Sequence, residues 1–270
     1  MMDATAWDCH AHLFGPYARY PLAPQRSYTP PEATLQAYLA HLTRLGCTHG
    51  VLVHPSAYGE DHELLGHALA RHGHLRGVMV LNPGHRHDLR TLRAHSVRGL
   101  RFSHRSAVGG NFAGSASLED LLHLAPAMAE AGLHAELWTD ASALEASAAT
   151  LNALPVPLVI DHMGGFDVQA GVDAPGFRAL RSLVEGGNTW VKLCVYRNLL
   201  GHPDPEAGAP FVRALTTTRP DRLLWGSDWP HLRVDPVPDA AHLLAQFRRW
   251  TADESVVSQI LADNPQRLYG

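Results

Sequence analysis

Short apolar runs alternate with amphipathic stretches along the whole chain. Eight runs read as strands: Ala6–His12, Gly50–Pro55, Arg76–Leu81, Val97–Phe102, His134–Trp138, Leu158–His162, Thr189–Val195 and Arg222–Ser227. Between them apolar residues recur at helical spacing, as in Leu118, Leu121, Leu122, Ala125, Met128 and Ala129. Near-continuous apolar strands such as Leu158-Val159-Ile160 suit a parallel sheet covered by helices. Eight strands, each followed by a helix, within about 250 residues predict an α/β fold of the (β/α)8 TIM-barrel type. A single domain over residues 1–270 is expected. Alternation does not prove closure, so a doubly wound sheet stays open at this point.

Local punctuation sharpens the helix boundaries. Thr29-Pro30-Pro31-Glu32 has the form of a capping box with Pro at the first helical position. The helix it predicts holds Leu35, Tyr38, Leu39 and Leu42 and ends at Gly46. Ser117-Leu118-Glu119-Asp120 opens another helix, with Pro126 inside it. Asp253 opens a terminal helix that Asn264-Pro265 should stop, because proline disfavours helical backbone in the residue before it. Helix-to-strand links are short, whereas strand-to-helix links at 13–28, 103–117, 163–174 and 229–238 are long. In a barrel those long loops share the carboxyl-terminal face, where active sites of this fold lie. His12, Arg101, His162 and Asp228 stand at or next to the strand ends that feed them.

Composition narrows the class. The 270 residues carry a formal charge of −4 with scattered Lys and Arg, so no basic stripe suggests nucleic acid. No apolar run approaches the roughly 20 residues of a membrane helix. The start lacks a basic and apolar leader, and Cys9, Cys47 and Cys194 are far apart and odd in number. Together these predict a cytoplasmic protein with reduced thiols and a small-molecule substrate.

The candidate chemistry begins at Asp8-Cys9-His10-Ala11-His12. On a regular strand side chains alternate, which puts Asp8, His10 and His12 on one face. In a barrel the first and eighth strands are neighbours, so His10 and His12 face Asp228 of Trp225-Gly226-Ser227-Asp228-Trp229-Pro230-His231. A carboxylate between two tryptophans and before a proline is poorly explained as a solvated loop residue. His162, in Asp161-His162-Met163-Gly164-Gly165, sits at the mouth of the sixth strand; alternatively Asp161 and His162 bond only to their own turn. Three imidazoles and a carboxylate around a water-sized space form a hydrolytic constellation, with Asp228 taking a proton from water.

These motifs, with the ending Asp263-Asn264-Pro265-Gln266-Arg267-Leu268-Tyr269 and with Phe14-Gly15-Pro16, Tyr28-Thr29-Pro30 and Gly99-Leu100-Arg101-Phe102, resemble the amidohydrolase superfamily. The branch resembled is that of 2-pyrone-4,6-dicarboxylate lactonase and the sugar lactonases. The resemblance implies a hydrolase that opens a lactone, with Asp228 activating water and His10, His12 and His162 polarising the carbonyl. It also implies Tyr28, Arg101 and Arg197 as substrate contacts, with His54 as a further contact or a surface histidine. An arginine after the fourth strand (an anchor or an ion-pair partner) and one just past the seventh fit such a role. Two departures count. Gly165 stands where the lactonase pattern has an arginine, and Ser103-His104-Arg105 offers only a displaced cation. Fewer cationic anchors suit a monocarboxylate or neutral sugar lactone better than a dianionic pyrone.

Some members of the superfamily bind one divalent ion, commonly zinc, while the lactonase resembled works without one. Here the fifth strand, His134-Ala135-Glu136-Leu137-Trp138-Thr139, has no histidine at the matching ligand position. The metal set that remains is His10, His12, Glu136 and Asp228. The expectation is that no metal is required, with one zinc-like ion as the alternative. A metal-dependent decarboxylase and a sugar-lactone isomerase of the same superfamily are the competing activities. Asp8, deeper on the same face, is expected to orient a neighbour.

Overall fold

A computed structural model describes residues 5–85, 87–106 and 111–270. Eight parallel strands follow one another in sequence order: β1 Trp7–Ala11, β2 His49–Val53, β3 Leu75–Met79, β4 Val97–His104, β5 His134–Thr139, β6 Leu158–Ile160, β7 Thr189–Lys192 and β8 Leu223–Leu224. The sheet curls so that its first and last edges meet. Cys9 N–H donates to the Trp225 carbonyl at 3.0 Å and Asp228 N–H to the His10 carbonyl at 2.8 Å. His12 N–H donates to the Trp229 carbonyl at 2.8 Å, and the barrel closes along this seam. The close approach requires Gly226, where a Cβ would lie 2.7 Å from that of His10.

Helices α1 Leu35–Leu45, α2 Glu63–Arg71, α3 Leu89–Leu92, α4 Leu118–Ala131, α5 Ala141–Asn152, α6 Pro175–Glu185, α7 Ala209–Thr218 and α8 Ala240–Thr251 wrap the strands. Two shorter helices end the chain, α9 Glu254–Ser258 and α10 Asn264–Tyr269. Ser117 and Asp120 form the predicted capping box of α4, and Asp253 caps α9. None of the helices is long and apolar enough to cross a membrane, among the described residues. The three cysteines are buried free thiols.

Three local expectations are corrected. The cap of α1 is Thr34, not Thr29, because Glu32 is drawn away to accept from the Tyr17 N–H at 2.6 Å. The chain does not stop at Asn264-Pro265. A π-helical turn at Gln259–Asp263 runs into α10, where the proline occupies the first turn and lacks only a donor that would be unpaired anyway. Its neighbour Asn264 donates from Nδ2 to the Pro220 and Leu223 carbonyls at 2.7 and 2.8 Å. Last, Asp8 does not share a face with His10 and His12.

That third correction shapes the site. Pairing of β1 with β2 shifts between Asp8 and Ala11, so three steps on β1 match two on β2. The extra residue is a bulge, and it reverses the alternation. Cys9 joins Trp7, Val51, Val53, Val78, Val159, Trp190 and Leu224 inside the lower barrel, where Tyr269 also packs. Ala11 packs outside with the helices. His10 and His12 therefore point inward above the apolar layer. Asp8 turns outward and accepts from the Ser227 N–H and hydroxyl, both at 2.7 Å, and from Tyr38 at 3.4 Å. It ties β8 to β1 and α1, which is an orienting role reached from the opposite face.

Candidate active site

Above the apolar layer the barrel interior is charged. Arg101, Glu136, Asp161, Lys192 and His10 come from β4, β5, the end of β6, β7 and β1, and four of them have no exposed side-chain surface. Lys192 is the hub. Its Nζ lies 2.5 Å from Glu136 Oε2, 3.1 Å from His10 Nδ1 and 3.5 Å from Asp161 Oδ1. An ammonium has three N–H groups and no lone pair; it donates to His10 Nδ1, while the two carboxylates face it as charge partners. Arg101 donates from Nη2 to Asp161 Oδ2 at 2.9 Å. Burial raises the Asp161 carboxyl, but His10, Lys192 and Arg101 outweigh it and hold the group well below its usual range. Burial and the Asp161 charge push Glu136 the other way, upward.

The histidine protons can be placed from a fixed acceptor. His12 Nδ1 is 2.7 Å from the Val53 carbonyl, which only accepts, so the proton sits on Nδ1 and a lone pair on Nε2. Burial pulls this imidazole down to about 3, so it is neutral at pH 7. His10 Nε2, 3.2 Å from His12 Nε2, must then donate to it. That leaves His10 Nδ1 to accept from Lys192. The sequence leads from an ammonium through two imidazoles to a backbone carbonyl.

Asp228 hangs over this floor in the left-handed region, φ 62°. Its two oxygens are treated differently. Oδ2 accepts from the Tyr196 hydroxyl at 2.7 Å and from Arg197 Nε. Oδ1 is buried with no hydrogen-bond partner and lies 3.7 Å from Nε2 of both His10 and His12. Burial raises this carboxyl, but the Arg197 guanidinium outweighs burial and holds it below the usual carboxylate range. His162 is also left-handed, φ 49°, and its ring centroid lies 4.9 Å from that of His10. Its Nδ1 is buried without a partner, and burial lowers its pKa to about 4.

A cavity of about 270 Å³ opens over these groups. His12, His162 and Asp228 reach its lining, as do Tyr28, Arg101, Arg197 and His54, so the expected substrate contacts converge there. Each has a prior engagement. Arg197 also donates from Nη1 to the Leu232 carbonyl at 3.2 Å. His54 is not a surface histidine: it is buried, its Nε2 lies 2.9 Å from the Gly59 carbonyl, and burial lowers its pKa to about 3. Arg105 does not line the cavity; it stacks its guanidinium 4.5 Å from the Trp138 ring centroid. Gly165 has φ +60°, and a Cβ there would meet the Thr139 carbonyl at 3.2 Å. Glu136 points inward as expected, but it pairs with Lys192.

Sequence reasoning missed Lys192, Tyr196 and Arg233. Lys192 had a usable signal, since a lysine inside the apolar run Trp190-Val191-Lys192-Leu193 must be paired if that run is a buried strand. The other two lie in loops whose course the sequence leaves open.

Two imidazoles and a carboxylate at the mouth of a (β/α)8 barrel, with a third imidazole across the opening, define a metal-dependent-hydrolase type of barrel. Comparison with known proteins is specific. The family described as Amidohydrolase matches residues 7–270. A 4-sulfomuconolactone hydrolase from Rhizobium radiobacter is 36% identical, the match covering 98% of this chain and 90% of the relative. A 2-pyrone-4,6-dicarboxylate hydrolase from Comamonas testosteroni is 33% identical over 99% of this chain and 91% of its own. A crystal structure from Pseudomonas putida, assigned as a 2-pyrone-4,6-dicarboxylic acid hydrolase, superposes with a TM-score of 0.83 at 31% identity. It covers 100% of this chain and 98% of that one. The chain belongs to the amidohydrolase family.

Members of this family often use a metal, and the donor atoms admit one. His10, His12 and Asp228 offer ligand atoms within 4.8 Å of one another, as do His10, Asp161 and His162. Glu136 is in neither group among the described residues. To hold an ion, His10 would carry its proton on Nδ1, toward Asp161 Oδ1 at 3.2 Å, freeing Nε2. The unpartnered Asp228 Oδ1 completes a three-ligand set of the kind that leaves a position for water.

Proposed function

We propose that this protein hydrolyses a lactone, a cyclic ester of a small acid, with Asp228 as general base. The observation that carries the proposal is the asymmetry of Asp228. With Oδ2 held by Tyr196 and Arg197, Oδ1 is the free oxygen, and it faces the imidazoles at the cavity floor. The full-length similarity to lactone hydrolases supports the same reading.

The ring lies in the cavity with its carbonyl carbon near Oδ1. A water between Oδ1 and the carbonyl gives its proton to Asp228 while its oxygen bonds to the carbonyl carbon. His162, which lines the cavity, donates to the carbonyl oxygen, and His10, buried beneath the lining, swings its Nε2–H from His12 toward the same oxygen, so the negative charge develops against two donors. His12, with its lone pair on Nε2, is then free to accept the water's second hydrogen. Collapse of the tetrahedral species breaks the ring C–O bond. The departing oxygen takes the proton back from Asp228, and the new acid loses its own to solvent. Held below the usual carboxylate range by Arg197, Asp228 is anionic at neutral pH; the same depression makes it a weak base, so attack depends on the donors to the carbonyl oxygen as well.

If a divalent ion is bound, His10, His12 and Asp228 would hold it, and it would supply Lewis-acid polarisation of the carbonyl. In our reading hydrolysis does not require it. Arg197 and Lys192 already place two positive charges against Asp228 and His10. The test is acid release from a panel of sugar and muconic-type lactones, with and without chelator. Turnover that survives chelation is expected. Loss on chelation with recovery on adding zinc would overturn the metal-free part, and inactivity on every lactone would overturn the whole reading.

A further inference from the structure

The cavity is lined by three arginines, and two of them are committed. Arg101 is paired with Asp161 and Arg197 with Asp228, so each guanidinium balances a carboxylate inside the protein. Arg233, on the loop after β8, has no acidic partner among the described residues. It is exposed at the mouth, and its guanidinium carbon lies 5.4 Å from the Phe112 ring centroid. Phe112 belongs to a cavity wall with Tyr28 and Trp138, at centroid distances of 5.4 and 4.9 Å. Arg233 is also held at φ 60°, and with Asp228 and His231 it makes three left-handed non-glycine residues within six positions. Such backbone persists only where its surroundings fix it, and it clusters at functional loops.

We propose that Arg233 is a specificity-determining residue that binds an anionic substituent of the lactone, carboxylate or sulfonate, remote from the scissile carbonyl. The proposal rests on the lactonase reading. With Asp228 under one end of the cavity and Arg233 at its rim, the ring would lie along Phe112 between them. Because Arg101 and Arg197 are neutralised, the uncompensated positive charge that a substrate anion meets is that of Arg233. A guanidinium offers an oxyanion a planar pair of donors, which a neutral substituent cannot use.

The test compares wild type with Arg233→Gln and Arg233→Lys on a carboxylated muconic-type lactone and on its methyl ester, with kcat and KM measured separately. For the acid, Arg233→Gln should raise KM by about 10–100-fold with kcat within about threefold, as expected for loss of a charge-assisted contact remote from the reacting atoms. For the methyl ester the KM change should be less than about threefold, and Arg233→Lys should restore part of the loss on the acid. Equal changes on acid and ester, or an unchanged KM on both, would overturn the proposal. Calorimetric binding of muconate separates this from failure of the lactonase reading, since it needs no turnover. Saturable binding that weakens at least about tenfold in Arg233→Gln supports the anion site. Equal affinity in both proteins, or no binding to wild type, overturns it.

Discussion

The two halves of the barrel interior are built from the same strands by opposite means. The lower half is filled by Trp7, Cys9, Val51, Val53, Val78, Val159, Trp190 and Leu224 and plugged by Tyr269. Its stability comes from area removed from water and from close packing. One residue further along each strand face, Glu136, Asp161, Lys192 and His10 are as deeply buried, with Arg101 slightly exposed beside them, but these groups gain little from burial itself. Each ionised group there is tolerated because another lies within about 4 Å, the range of a direct ion pair. The lower layer holds the strands; the upper layer holds Asp228 and the histidines in one protonation pattern.

The sharpest way to break this contrast is at Asp228. Asp228→Asn should lower kcat by about 10²–10⁴-fold, the range of a general base, with substrate affinity nearly unchanged, and should lower the melting temperature because the Arg197 guanidinium loses its carboxylate partner. Steady-state kinetics alongside thermal melting check both halves of that statement. Lys192→Met comes next. It leaves Glu136 and Asp161 as buried carboxylates without their shared partner, at a cost of about 3–5 kcal/mol in denaturant unfolding. Adding Glu136→Gln to it should recover part of the loss, and no recovery would remove Lys192 from the hub of the network. In the lower layer, Leu224→Ala should cost about 3 kcal/mol by leaving a cavity, yet keep kcat within a few-fold. A large fall in kcat there would mean that the two layers are not separable.

The smallest effect is set by pH. Burial lowers His12, His54 and His134 to about 3 and His162 to about 4. In the unfolded chain each would protonate near 6.5, so below that pH the unfolded state binds more protons and stability falls. The contribution is complete above about 6.5 and is lost progressively down to the folded values, on the order of 1–2 kcal/mol per histidine at pH 5. Melting temperature measured from pH 7 to pH 4 should therefore drop steadily. Three of these four histidines line the cavity, so His54→Gln should flatten the slope more than replacing an exposed histidine such as His123.

Seven of the 19 histidines are buried, and nothing local in the sequence marks which seven. Histidine type alone carries no burial signal, since its ring is apolar enough for a core and polar enough for water. The strand positions were legible because period-two and period-3.6 patterns are local. Asp228 was legible because its tryptophan and proline neighbours make a solvated carboxylate improbable. The bulge at Cys9-His10 was not, because a register shift is a property of two paired strands and leaves no mark on one. The partners of Arg101 and Arg197 were equally hidden, since Asp161 and Asp228 reach them across the barrel mouth from separate strands.

What the sequence determined by itself is the alternating βα chain, the long loops on one face, and the set of imidazoles and carboxylate near the strand ends. Those follow from side-chain periodicity and backbone preferences, which act over a few residues. Only the tertiary structure decided which oxygen of Asp228 is free, which nitrogen of His10 carries a proton, and which arginine is left for an anion. Each of those depends on a partner far away in the chain: Tyr196, Lys192 and Asp161 enter by way of barrel closure. A proton or an ion pair is assigned by the nearest atom, and nearness here was made by the fold.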